Sequence, residues 1–167
     1  HHMGLEEPKS NRDLRRQAIL EVARAVFAEE GYAAASMSSI AARVGGSKAT
    51  LYNYFRSKEE LFAATLVGYL TELSATLAEA VDDAASPDDR LSQLSDAMID
   101  FGVERPAFVD CALTLLRRPG DELMAEVGQP VMIGLGQAMW SSLTRVVTVL
   151  EDGVASGQHA RRDVRGR

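Results

Sequence analysis

Residues 36–60 read SMSSIAARVGGSKATLYNYFRSKEE, and this stretch decides the fold. Met37, Ile40, Ala41 and Val44 recur at helical spacing, and Gly45-Gly46 then supplies residues able to take the left-handed backbone of a helix C-cap. Gly45 is expected to end this first short helix. Ser47 can accept a hydrogen bond from the free N–H groups of a second helix, Lys48 to Tyr54, which keeps Leu51 and Phe55 one turn apart. Ser57-Lys58-Glu59-Glu60 reads as a capping box, Ser57 the N-cap and Glu60 the reciprocal acid, so a further helix starts there. The pattern is a helix-turn-helix.

Two short helices around a glycine turn can be a packing corner and nothing more. The side chains shift that balance. With Ile40, Val44, Leu51 and Phe55 facing inward, the second helix presents Lys48, Ala49, Thr50, Tyr52, Asn53 and Tyr54 outward, with Lys58 just beyond. Cationic, hydroxylic, amide and aromatic groups together suit a helix laid in a DNA major groove, where phosphates need donors and base edges need amides, methyls and hydroxyls. Lys48, Thr50, Tyr52 and Asn53 are expected to approach base edges or neighbouring phosphates. Ser38, Arg43, Tyr54 and Lys58 are expected to hold the backbone, and Ser47 and Ala49 belong to the same surface.

Gly31-Tyr32, Ser36, Ile40-Ala41, Val44-Gly45, the run from Ser47 to Tyr52, Tyr54-Phe55, Lys58 and Glu60-Leu61 together resemble the DNA-binding domain of the tetracycline-repressor (TetR) family of transcription regulators. The resemblance covers roughly the first third of the chain. Gly46 stands where the family usually has an aliphatic residue, Ala35 where threonine is common and Ala49 where glycine is frequent. Gly46 is expected to loosen the turn; none of the three removes a donor from the presented surface. The resemblance implies a homodimer on a near-palindromic operator, a helical body that holds a small effector, and a fold that commonly continues with another helix, so that this chain looks short at its C-terminus.

Composition and charge agree with two unlike parts. The net charge is −6, but residues 9–60 carry nine Lys and Arg against six Asp and Glu, whereas residues 61–167 carry nine against sixteen. A mildly basic head on an acidic body allows the head, not the body, to meet phosphate. With 46% hydrophobic residues the chain can build a core. Its single cysteine, Cys111, excludes an internal disulfide and fits a reducing cytoplasm. No apolar run reads as a membrane span, and no signal peptide is visible. His1-His2-Met3 reads as a tag remnant before the start methionine.

Taken in order, residues 1–9 are polar and expected to be loosely ordered. Ser10 and Asp13 start a helix whose apolar stripe is Leu14, Ala18, Val22, Ala25 and Val26, ending at Gly31; Arg12, Arg15 and Arg16 lie either in solvent or near phosphate or the minor groove. A long helix from Ser57 to about Val81 joins head to body. Ser86-Pro87-Asp88-Asp89 starts another, Pro106 a third, and Asp121 is expected to cap a short piece. Pro130 begins the last long helix, expected to reach about Ser156, with an apolar arc wide enough to need partners on more than one side. The tail from 158 to 167 is basic and expected to be disordered.

An enzyme reading finds no nucleophile beside a base and no metal-ligand spacing; the only histidine outside the tag is His159. The acids Asp82, Asp83, Asp88 and Asp89 read as solvated helix ends, and Cys111 as a buried structural thiol. No cofactor is implied. The side chains best placed to line an apolar effector pocket are Tyr69, Met98, Phe101, Phe108, Cys111, Leu115, Met124, Met139 and Trp140, each of which can equally be plain core. Gly134 and Gly136 inside the last helix suggest a close helix approach, and with Leu143, Val147 and Leu150 they form a candidate dimer interface.

The expected protein is therefore all-α. A three-helix DNA-binding head, residues 9–56, precedes a helical regulatory and dimerising body, residues 57–157. Its partners would be double-stranded DNA, a small apolar effector and a second copy of itself. The expected function is cytoplasmic transcriptional repression, relieved when effector in the body moves the Ser57 to Val81 helix and the two heads lose register with DNA. A module of the same shape, governed by a protein partner or by no ligand, is the alternative.

Overall fold

The computed structural model describes residues 10–166, with the side chains of 158–165 outside the description. The expectation for residues 1–9 lies outside the described residues. Among the described residues eight helices follow one another: α1 (Asn11–Ala34), α2 (Met37–Val44), α3 (Lys48–Tyr52), α4 (Lys58–Ala80), α5 (Pro87–Glu104), α6 (Pro106–Leu116), α7 (Gly120–Glu126) and α8 (Gln129–Arg165). Among the described residues there is no strand.

Local chemistry accounts for most of the boundaries. Ser10, Ser36, Ser47, Ser57 and Ser86 each accept from the backbone N–H three residues on, the geometry of a side-chain N-cap. α1 breaks at Gly31, whose φ of 78° a side chain would resist. α7 differs from expectation: its N-cap is Pro119, with no side-chain bond, and Asp121 lies inside the first turn instead. α8 runs on through Arg165, so the backbone of the tail expected to be loose is helical as far as that residue.

The stripe of α1 is rotated from the one its spacing suggests. Ile19, Ala23, Val26 and Phe27 are buried, whereas Leu14 is 54% exposed. In an alanine-rich helix several stripes fit the spacing, and only the partner helices choose between them. The α1 face packs with Met37, Ile40 and Ala41 of α2, with Leu51 and Phe55, and with Leu61, Phe62 and Leu66 of α4. This core continues without interruption to Cys111 and Leu115 of α6, Val127, and Leu135 of α8, so head and body share it. A second cluster, Leu73, Leu77, Leu94, Phe101 and Val149, closes the far end of the body.

α4 is the axis of both parts, packing against α1, α5, α6, α7 and α8. By length and composition it is also apolar enough to cross a membrane, with a mean hydropathy of 1.4, which corrects the expectation that no segment is. Burial explains the composition: 56% of that window is inside the protein, as suits a central core helix.

Candidate nucleic-acid interface

The turn between α2 and α3 is closed by two backbone bonds. Gly45, at φ 85°, donates to the Ala42 carbonyl at 3.3 Å, and Gly46 donates to the Ala41 carbonyl at 3.0 Å. That pair is a Schellman motif, and it satisfies two carbonyls at the end of α2. Only Gly45 needs the left-handed backbone. Gly46 has no positive φ and its N–H is engaged, so it does not loosen the turn.

α3 has five residues, too few to hold itself together, and is fixed from both sides. Ser47 Oγ accepts from Thr50 N at 3.2 Å, Thr50 Oγ1 accepts from Ser47 N at 3.3 Å, and the two hydroxyls lie 2.9 Å apart. Leu51 and Phe55 are buried beneath the helix. At its far end the Arg12 guanidinium donates to the Asn53 carbonyl at 2.8 Å and stacks over Tyr54, while Arg16 stacks over Phe55. A cation beside a helix C-terminus is favourable, and here it also ties α1 to α3.

The expected residues divide by what they already do. Lys48, Ala49, Tyr52 and Asn53 are exposed on one side of α3, with Tyr52 46% exposed, and Ser38 is exposed on α2. Ser47 and Thr50 use their hydroxyls for the cap, so each has only its remaining hydrogen-bonding capacity for another partner. Arg43 pairs with Glu29 at 2.8 Å on the surface, an exchangeable contact. Tyr54 is half-buried under Arg12. Lys58 Nζ lies 4.2 Å from the centre of the Tyr32 ring, and partial burial lowers its affinity for a proton.

Tyr32 anchors a polar cluster that sequence reasoning does not find, because its members lie far apart along the chain. Its hydroxyl donates to Glu59 at 2.5 Å and accepts from Arg118 at 2.7 Å; Arg118 also donates to Glu126 at 2.7 Å. Burial and the Glu59 carboxylate hold the phenol protonated well above its usual range. Burial pushes the Glu59 carboxyl up, but the Tyr32 hydrogen bond, a backbone bond and the Arg118 charge outweigh it and leave that group below its ordinary value. Glu60, expected to cap its own helix reciprocally with Ser57, does not; its carboxylate accepts instead from Arg56 N at 2.5 Å and Gly128 N at 2.8 Å.

The nine side chains considered for an effector pocket are not gathered into one cavity. Tyr69, Phe101 and Phe108 pack ring to ring, and Leu115 is core. Met98, Met124, Met139 and Trp140 are exposed, Met124 to 70% and Trp140 to 69%, because they sit on the outer faces of α5, α7 and α8. Tyr69 and Cys111 line a cleft of about 530 Å³ between α1, α4 and α6, with Phe27, Tyr32 and Phe62 on its walls. Burial pushes the Cys111 thiol up to about 12, so it is not a nucleophile there. A second cleft, about 750 Å³, lies between α1, α4 and α8.

Of the five candidate dimer residues, Gly134 faces inward: a Cβ there would meet Val67 Cγ1 at 4.0 Å, so its role is the α4–α8 crossing. Gly136 faces open space, and Leu143, Val147 and Leu150 are exposed.

A family model described as bacterial regulatory proteins of the tetR family matches residues 19–65, which are α2 and α3 with the adjoining parts of α1 and α4. The chain is 39% identical over 90 residues to the transcriptional activator FasR of Mycolicibacterium smegmatis, a match that covers 54% of this chain and 41% of that protein. It therefore spans about two fifths of the length of such curated relatives. The solved structure of the ketosteroid transcriptional regulator KstR2 of Mycobacterium tuberculosis is 31% identical, with a TM-score of 0.58, over 86% of this chain and 69% of that one. A regulator of the same family from a Shewanella species aligns with a TM-score of 0.64 at 26% identity, covering 86% of this chain and 71% of that one. The chain belongs to the TetR family of bacterial regulatory proteins.

Proposed function

We propose that this protein is a DNA-binding transcriptional regulator that acts as a repressor from the cytoplasm. The observation that carries this reading is α3: capped at its start, anchored by Leu51 and Phe55, clamped at its end by Arg12, and presenting Lys48, Ala49, Tyr52 and Asn53 outward. Such a helix can enter a major groove, with Tyr52 and Asn53 reading base edges and Lys48 neutralising phosphate.

Two copies would bring two such helices to one operator. The outer face of α8 supports the pairing, since Gly136, Trp140, Leu143, Val147, Leu150 and Val154 alternate steps of four and three. That is the spacing of a helix seam that packs against another helix. An apolar effector is assigned to the cleft that Tyr69 and Cys111 line, because the rings of Phe27, Tyr32, Phe62 and Tyr69 give it an aromatic wall that the cleft between α1, α4 and α8 lacks.

The test is a gel shift on DNA from upstream of the protein's own gene, at several stated salt concentrations. Wild type should give a specific shift, and Leu143→Glu, which charges the α8 seam, should weaken it while leaving the helical content unchanged. No specific shift at any salt would overturn the reading.

A further inference from the structure

The contact between Glu60 and Gly128 joins the exit of the recognition helix to the corner between α7 and α8. Glu60 is 8% exposed, and among the described residues it has no cationic partner. Its charge is met instead by two backbone donors: Arg56 N, immediately after the buried Phe55, and Gly128 N, immediately before α8. Ser57 reinforces the joint by donating to the Glu126 carbonyl at 2.6 Å while it caps α4. The Tyr32, Glu59, Arg118 and Glu126 cluster ties the same corner to the end of α1.

Gly128 is not required by its backbone, whose φ lies outside the left-handed region. It is required by space: a Cβ there would stand 2.5 Å from Glu60 Oε1. The glycine lets the carboxylate reach the N–H.

We infer that Glu60 and the α7–α8 corner form a latch that positions the first turn of α4, and through Arg56 and Phe55 the recognition helix, so that displacement of this corner is how the body reports to DNA. This rests on the regulator reading for its last step and on geometry alone for the rest. Glu60 and Gly128 are positioning residues, since neither lies on the exposed face of α3. The bonds that matter here go to a buried charge, the class whose loss is felt most strongly.

The test compares the full chain with Gly128→Ala, Glu60→Gln and the double variant. Hydrogen exchange is followed peptide by peptide, and affinity for the upstream fragment is followed by fluorescence anisotropy. Each single variant should speed exchange at residues 55–62 about tenfold, with α5 and the far end of α8 unchanged, and should weaken DNA binding about tenfold. The double variant should be no worse than the worse single one, because both disrupt the same seat of the Glu60 carboxylate between Arg56 N and Gly128 N. Unchanged exchange at 55–62, a loss of protection spread evenly over the fold, or additive effects in the double variant would overturn the latch. Should Gly128→Ala not fold, Glu60→Gln alone decides between these outcomes through the same exchange and affinity readings. If wild type binds no upstream DNA, the regulator reading fails, and the exchange data still decide whether the latch exists.

Discussion

The guanidinium of Arg12 donates to the backbone carbonyl of Asn53 at 2.8 Å, so the first turn of α1 holds the last turn of α3. An arginine that the sequence places either in solvent or near phosphate is thus part of what keeps a five-residue helix in place. Arg12→Ala should weaken operator binding by about three- to tenfold, with a stability change of at most about 1 kcal/mol, because the contact is exposed. Anisotropy titrations beside urea unfolding would check this; a large stability loss with unaltered affinity would contradict it.

Leu51 and Tyr52 are neighbours in sequence with opposite duties. Leu51 is fully buried, so Leu51→Ala should cost about 2–5 kcal/mol of stability. Tyr52 is half exposed on the outer side of α3, so Tyr52→Ala should change stability by less than about 0.5 kcal/mol and remove about 1–3 kcal/mol of specific DNA binding. Urea midpoints and specific-site affinities, measured on both variants, should separate in opposite directions.

The two glycines of the turn should also behave differently. Gly45→Ala forces a side chain into φ 85° and should cost about 1–2 kcal/mol. Gly46→Ala meets only the Thr50 side chain, at 3.4 Å, and should be nearly neutral. Thermal unfolding of the pair decides it.

Arg24 holds Glu72 through two hydrogen bonds, and these keep the Glu72 carboxyl below its usual range. The unfolded chain then binds the proton more readily, so the contribution is present above about pH 4.3 and is lost as pH falls through the lower folded-state value. Because the pair is only partly buried, with side chains 32% and 43% exposed, it amounts to about 1 kcal/mol at most. Glu72→Gln should be less stable than wild type at pH 7, and the gap should close in urea titrations at the lowest pH where wild type still folds.

The head is legible in the sequence because its signals are local. Serine caps, Gly45 and the spacing of Leu51 and Phe55 each act within a few residues, and all recur in the structure. What stays hidden depends on partners. Alanine in α1 leaves its buried side undetermined until α2 and α4 are in place, which is why spacing puts Leu14 on the core stripe and the fold does not. In α8 the apolar residues serve two faces, Leu135 and Val149 inward and Trp140, Leu143 and Val147 outward, and periodicity alone does not divide them. Arg118 reaches Tyr32 across 86 residues of chain, and no spacing rule announces such a pair. The anticipated pocket fails as a set for the same reason, since Met98, Met124, Met139 and Trp140 stand out by their chemistry, which says nothing of the face each occupies.

Paired recognition helices on one operator are the centre of this account, and a footprint of the wild-type protein on its own upstream DNA tests that most directly. Two protected half-sites related by a dyad, about 34–36 Å apart centre to centre, are predicted. Protection of one half-site alone, or uniform protection that tracks salt but not sequence, would contradict it.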